Sequence, residues 1–192
     1  GRILDKKWYE NIDKKRTKIQ DGEITLFLFD ADVFFPGLSS LENEKIVTHL
    51  DMLKELFNKN LIWIASFPCF EYGLALSLTN SLADNIILNT IDKKEIKSFL
   101  SQIAGIKLET DDKKYKELFY DTKIFKVDNL RRNALADRQN KNLPLTHTDF
   151  ANMIKEDKLL ANLKNDCPFS YLDYLFITIE NKIKEVIENS DK

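Results

Sequence analysis

Histidine, cysteine, proline and glycine are all scarce in this sequence, at two, two, four and five residues among 192. The cysteines, Cys69 and Cys167, stand far apart with no C-x-x-C pair and no metal-ligand spacing around either, which excludes a disulfide framework and a zinc finger. Two reduced and mostly buried thiols of a cytoplasmic protein are the expectation. Neither His49 nor His147 is placed by sequence to serve Cys69 as a base, so a cysteine nucleophile is not indicated, and His147 by itself reads as a turn or surface residue. No apolar run is long enough to span a membrane and no secretory-type apolar segment follows the N-terminus. Linkers rich in proline or serine, low-complexity stretches and internal repeats are missing as well. Finally, neither sign of charge dominates: the formal charge is −2 and the pI about 5.8, which argues against a protein whose whole surface grips nucleic acid, while leaving room for a local basic strip.

What the chain does have is 43% hydrophobic and 31% charged residues with 13 phenylalanines, the balance of an ordered, helix-rich globular domain. Its length suits one buried core, so residues 1–192 are read as a single domain. Two apolar runs, 24–29 and 61–66, read as buried strands. Between them, Ser39 followed by Glu42 makes a capping box for a helix to about residue 58, with Ile46, Leu50, Leu53 and Phe57 on one face. Strand, helix and strand over this length form a βαβ unit that closes right-handed onto a parallel sheet. A mixed polar and aromatic pattern over 3–20 predicts an amphipathic helix. Another helix starts after Pro68 with Phe70, Leu74 and Leu78 at fourfold spacing. From about residue 92 onward the pattern is helical, over 92–104, 112–121, 127–140, 146–163 and 170–188, and 86–88 is either a short strand or a buried loop. The fold class is therefore α/β, a short parallel sheet with a helical C-terminal half.

Parallel strands of this kind deliver chemistry at their carboxyl ends. Asp30 and Asp32 stand two apart at the end of the first strand, so both side chains leave on one face if extended geometry persists. Two hard oxygen ligands on one face suit Mg²⁺ or Mn²⁺, which would neutralise two carboxylates that are costly to desolvate together. The alternative is that they cap a turn or the following helix, with Pro36-Gly37 making the turn. Glu71, in the first turn of the helix after the second strand, is either a supporting group for that site or a favourable charge at a helix N-terminus. Arg131 and Arg132, with Lys126, Arg138 and Lys141, form a basic stretch that either holds phosphates or is a solvated helix face.

Phe29-Asp-Ala-Asp32, followed at a suitable distance by Ala65-Ser-Phe-Pro-Cys-Phe-Glu71 and an apolar helix, resembles the RloB family of TOPRIM-fold proteins, whose second motif is similar to S-N-P-C-F-E-L-W-L. Residues 129–141, and then Leu143-Pro-Leu-Thr146 opening a helix, are similar to the C-terminal part of that family. The resemblance spans roughly residues 24–157, with Pro68-Cys-Phe-Glu71 its strongest element. It implies a TOPRIM-like, Rossmann-like fold and a Mg²⁺-dependent nuclease-like domain linked to defence against phage (abortive infection), sometimes acting with an ATPase partner. Asp30 and Asp32 match the metal-binding acid pair of the TOPRIM pattern. The glutamate that the pattern places in an E-G at the end of an earlier strand has no counterpart before Asp30. Either that strand precedes Gly1, a first residue that suggests an expression scar or a segment cut from a longer protein, or the group has been lost. Phe67 and Gly73 stand where the family has Asn and Trp.

The function expected is hydrolysis of nucleic-acid phosphodiesters, DNA or RNA. Asp30 and Asp32 would carry the metal, Glu71 would support catalysis, and Arg131 and Arg132 would contact the backbone. Two other readings stay open. A haloacid dehalogenase-like phosphatase would use Asp30 as nucleophile, Asp32 as acid/base and Ser66 as phosphate ligand, although no later Gly-Asp motif on a strand is seen and that fold needs more strands. A catalytically silent interaction module would use Asp30 and Asp32 as turn formers and the aromatic residues for an interface.

Overall fold

A computed structural model describes residues 25–34, 61–80, 82, 89–105, 125–156 and 167–190. The helices expected over 3–20, 39–58 and 112–121, the segment 86–88 and the stretch 157–163 lie outside the described residues. Strands β1 (Thr25–Asp30) and β2 (Leu61–Phe67) fall where the apolar runs placed them. They pair in parallel from Thr25↔Leu61 to Asp30↔Ser66, as a βαβ crossover requires.

The sheet is not wholly parallel, which corrects the expectation. A third strand, β3 (Phe169–Ser170), runs antiparallel to β2 through Ser66↔Ser170 and Phe67↔Phe169, giving the order β1-β2-β3. The next amide continues the pairing, Tyr171 N–H donating to the Ala65 carbonyl at 2.9 Å. Two residues are too few to show an alternating pattern in sequence, and the helix expected from residue 170 begins only at Asp173.

Alternation along the strands sorts their residues onto two faces. Leu26, Ile62 and Ile64 join a core with Leu74, Leu76, Ile96, Leu100, Leu130 and Ala134. These come from three helices that cover this face: α1 (Phe70–Leu78), α2 (Lys93–Ala104) and α3 (Val127–Asn140). The opposite face is aromatic. Phe29 meets Trp63 edge-on at 5.8 Å, Phe67 stacks on Phe169 at 5.8 Å, and Phe150 of helix α4 (His147–Lys155) lies 5.3 Å from Phe169. Fully burying each such ring stabilises by roughly 1.5–3 kcal/mol before entropy is counted.

Helix α1 is buried nearly all round because it sits between α2, α3 and the sheet, the setting that an apolar helix without a polar face requires. At Gly73 an added Cβ would lie 2.6 Å from Ser170 Oγ and 2.9 Å from a Leu172 methyl, so glycine is what lets β3 approach α1. Helix ends follow capping chemistry. Asp92 accepts from Lys94 N–H at 2.7 Å before α2, and Gly105 closes it at φ 63°. Thr146 accepts from Asp149 N–H at 3.0 Å before α4. Helix α3 ends in a Schellman turn: Asn142 has φ 54°, its N–H donates to the Gln139 carbonyl, and Leu143 N–H donates to the Arg138 carbonyl.

The C-terminal helix α5 (Asp173–Ser190) is fastened by a buried ion pair. Arg138 of α3, 1% exposed, donates to both carboxylate oxygens of Asp173 at 2.8 and 2.7 Å and to the Ser170 carbonyl at 2.5 Å, with Tyr171 and Tyr174 against the guanidinium. Next to it Tyr72 O–H donates to Asp137, and Lys141 reaches Asp137, the Tyr72 hydroxyl and the Pro168 carbonyl at 2.7, 2.9 and 2.7 Å. Two members of the basic stretch, Arg138 and Lys141, thus join α3 to α1, β3 and α5 rather than facing solvent. No helix among the described residues is long and apolar enough to cross a membrane.

Candidate functional site

The carboxyl edge of β1 and β2 gathers three of the residues singled out from sequence. Asp30 is the last residue of β1, and its Oδ1 accepts a 2.8 Å hydrogen bond from Phe70 N–H in the first turn of α1. This cross-element cap ties the acid to a helix N-terminus, whose unsatisfied amides favour negative charge. Burial nevertheless dominates and, with the nearby Asp32 and Glu71 charges, pushes the Asp30 carboxyl up to about 6 against the pull of Lys93 and the Phe70 amide.

Asp32 follows in a short 3₁₀ turn, Ala31–Phe34, and is 7% exposed. Its Oδ2 lies 2.6 Å from Lys93 Nζ, while its Oδ1 is buried without any hydrogen-bond partner. Glu71 sits one residue into α1 and pairs with Lys97 Nζ at 3.3 Å. Lys93 and Lys97 are one turn apart on α2, so one helix face addresses two of the three acids. Burial disfavours the Lys93 ammonium, but its bond to Asp32 and the field of both aspartates outweigh burial and raise its proton affinity.

The remaining groups of the edge are chemically quiet. Burial, then the Glu71 carboxylate, push the Cys69 thiol well up, leaving a protonated sulfur with no nucleophilic character at neutral pH. Ser66 Oγ shares a 2.8 Å hydrogen bond with Ser170 Oγ, and both are buried. Among the described residues no group of three or more His, Cys, Asp or Glu side chains could hold a metal ion, so any cation here rests on the Asp30–Asp32 pair.

Arg131 and Arg132 are not brought to these acids. Arg131 Nη2 lies 2.6 Å from Glu180 of α5, and Arg132 Nη2 donates to the Asn80 carbonyl at 2.8 Å and to Asn129 Oδ1 at 3.0 Å. Asn80 is just past the C-terminal end of α1, whereas Asp30 is bonded to its N-terminal end. A helix of that length separates the two ends by about 13 Å.

Lys93 and Lys97 are the site residues that sequence reasoning missed. Their spacing of four at the start of a predicted helix is visible in the chain, but the acids they meet lie in distant segments and nothing local announces the pairing. Comparison with protein-family models, with curated proteins and with solved structures finds no match for this chain. The described residues form an α/β domain, mostly helical, with a small mixed sheet and an acid pair at the carboxyl edge of its parallel strands.

Proposed function

We propose that this chain is a metal-assisted phosphodiester hydrolase of nucleic acid, a TOPRIM-like domain of the RloB-like group acting in phage defence, with an ATPase partner as that group implies. The observation that carries the reading is Asp32 Oδ1, a buried carboxylate oxygen without a partner beside the desolvated Asp30. Asp32 is charge-paired with Lys93 through Oδ2, but a buried oxygen left unpartnered is costly unless a ligand completes it. Asp30 and Asp32 fit a hard divalent ion that takes one or two carboxylates and keeps its remaining positions for water and phosphate oxygens.

When bound, such an ion supplies charge to a phosphate oxygen and acidity to a water. The chain's own groups do the rest. The Phe70 amide fixes the Asp30 carboxylate, and the burial of the Asp32 side chain, 10% exposed, limits water around the acids. Glu71, held by Lys97 and close enough for its charge to act on Asp30, is the supporting carboxylate.

The phosphatase reading needs Ser66 to bind phosphate, and the hydrogen bond to Ser170 takes that hydroxyl away from the acids. Calorimetric titration of Mn²⁺ and Mg²⁺ into the wild type, Asp30→Asn and Asp32→Asn, with folding checked by circular dichroism, tests the proposal. Binding by the wild type that disappears in both folded variants is expected. A folded wild type that takes up neither ion would sink the reading and leave the interaction module.

A further inference from the structure

We infer that Lys93 and Lys97 of α2 are the phosphate-binding residues of this site, held by its own carboxylates until a divalent cation arrives. The inference rests on the metal reading above and adds the residues and the order of binding to it.

Lys93 pairs with Asp32 and lies in the field of Asp30, and Lys97 pairs with Glu71, so among the described residues of this edge three carboxylates stand against two ammoniums and leave one net negative charge. A phosphodiester, itself a monoanion, is repelled by that arrangement. A divalent cation on the aspartates turns the balance to one net positive charge, and the same edge then attracts the diester. Metal first and phosphate second follows from the sign change alone.

Geometry supplies the second part. Lys93 and Lys97 are four apart on one helix face, their Cβ atoms about 5–6 Å from each other, so both ammoniums can converge on the oxygens of one phosphate. Their side chains are 41% and 38% exposed although their carboxylate partners are only 10% and 15% exposed. The cations therefore stand at the mouth of the site and the anions at its floor. Each lysine has rotatable reach and a point charge suited to phosphate. A cation on Asp30 and Asp32 competes with Lys93 for the carboxylate it now holds at 2.6 Å, which frees that ammonium when a phosphate partner is needed. Arg132 is bonded beyond the other end of α1 and Arg131 to Glu180 of α5, so neither contacts these acids.

The test uses two probes on the full chain: Mn²⁺ alone, followed by electron paramagnetic resonance, and a short fluorescein-labelled phosphorothioate oligonucleotide, followed by anisotropy. The wild type should bind the oligonucleotide only when Mn²⁺ is present. Lys93→Met and Lys97→Met should still take up Mn²⁺, Lys93→Met more tightly because a competing cation is gone, and each should bind the oligonucleotide about tenfold more weakly in its presence. Lys93→Arg, which keeps the charge, should recover most of that loss, a result that a purely structural role for the lysine does not predict. If both methionine variants bind the oligonucleotide as the wild type does while taking up Mn²⁺, the phosphate role is wrong and the metal reading survives. Metal-independent oligonucleotide binding by the wild type overturns the order. Failure of the wild type to take up Mn²⁺ overturns the metal reading itself.

Discussion

Replacing Asp30 by asparagine should make the protein more stable at neutral pH. The folded chain holds the Asp30 proton at about 6, against 3.8 for the ordinary group. The causes, in order, are burial and the repulsion of Asp32, with Lys93, Glu71 and the Phe70 amide adjusting the result. Because the folded value is the higher one, the folded state binds the proton more tightly, and stability falls as pH rises through the window from about 4 to about 6. At roughly 1.4 kcal/mol for each tenfold change in proton affinity, the ionised group costs up to about 3 kcal/mol above that window. Residual contact with water brings the expected figure to about 1–2 kcal/mol. Asparagine keeps an Oδ1 to accept from Phe70 N–H and removes the charge. Urea unfolding at pH 7.5 should therefore show Asp30→Asn more stable by about 1–2 kcal/mol, a rise in Tm of about 2–8 °C for a chain of this size. Below pH 4, where the native aspartate is protonated, the two proteins should unfold together. A variant less stable than the wild type at pH 7.5, or a gain that persists undiminished at pH 4, would show that the buried Asp30 charge does not destabilise the fold.

Four further outcomes follow from packing and from backbone conformation. Arg138→Met leaves Asp173, 3% exposed, without its counter-charge, and should cost about 3–5 kcal/mol in chemical denaturation; Arg138→Met with Asp173→Leu should recover most of it, and no recovery would mean that the pair does more than neutralise itself. Gly73→Ala drives a Cβ to 2.6 Å from Ser170 Oγ and should lose about 1–3 kcal/mol, part of which Ser170→Ala restores; an unchanged Tm would show that α1 and β3 are not in close contact. At the helix ends, Gly105→Ala at φ 63° should cost about 1 kcal/mol, while Asn142→Gly at φ 54° should be neutral or gain a few tenths, both read by thermal unfolding.

The parts of the fold that were legible in sequence are those whose signal is local. Leu61–Phe67 is a continuous apolar run, and Val127–Asn140 spans the range that periodicity predicts. Thr146 and Asp92 carry capping side chains at helix starts. Asp30 and Asp32 were legible because a carboxylate pair interrupts an apolar strand, and Glu71 because it follows the next one. What sequence could not show depends on partners far along the chain. Arg131, Arg132 and Arg138 look alike in a row of residues, yet Arg138 alone is buried, because Asp173 and two tyrosine rings enclose it. Lys93 meets an acid 61 positions away and looks from sequence like any solvated helix lysine. Strand β3 is two residues long and exists only because β2 offers an edge and Gly73 offers room.

The length of chain between Ser66 and Ser170 has a consequence for synthesis. These hydroxyls meet across 104 positions, so the β2 edge and the groove beside Gly73 are made well before the segment that fills them. At about 5–20 residues per second, a ribosome needs roughly 5–20 s to supply it. Until then Ser66 and Phe67 of β2 lack the strand partner they have in the folded chain. Slowing translation between residues 70 and 170 lengthens in proportion the time for which this edge is without β3.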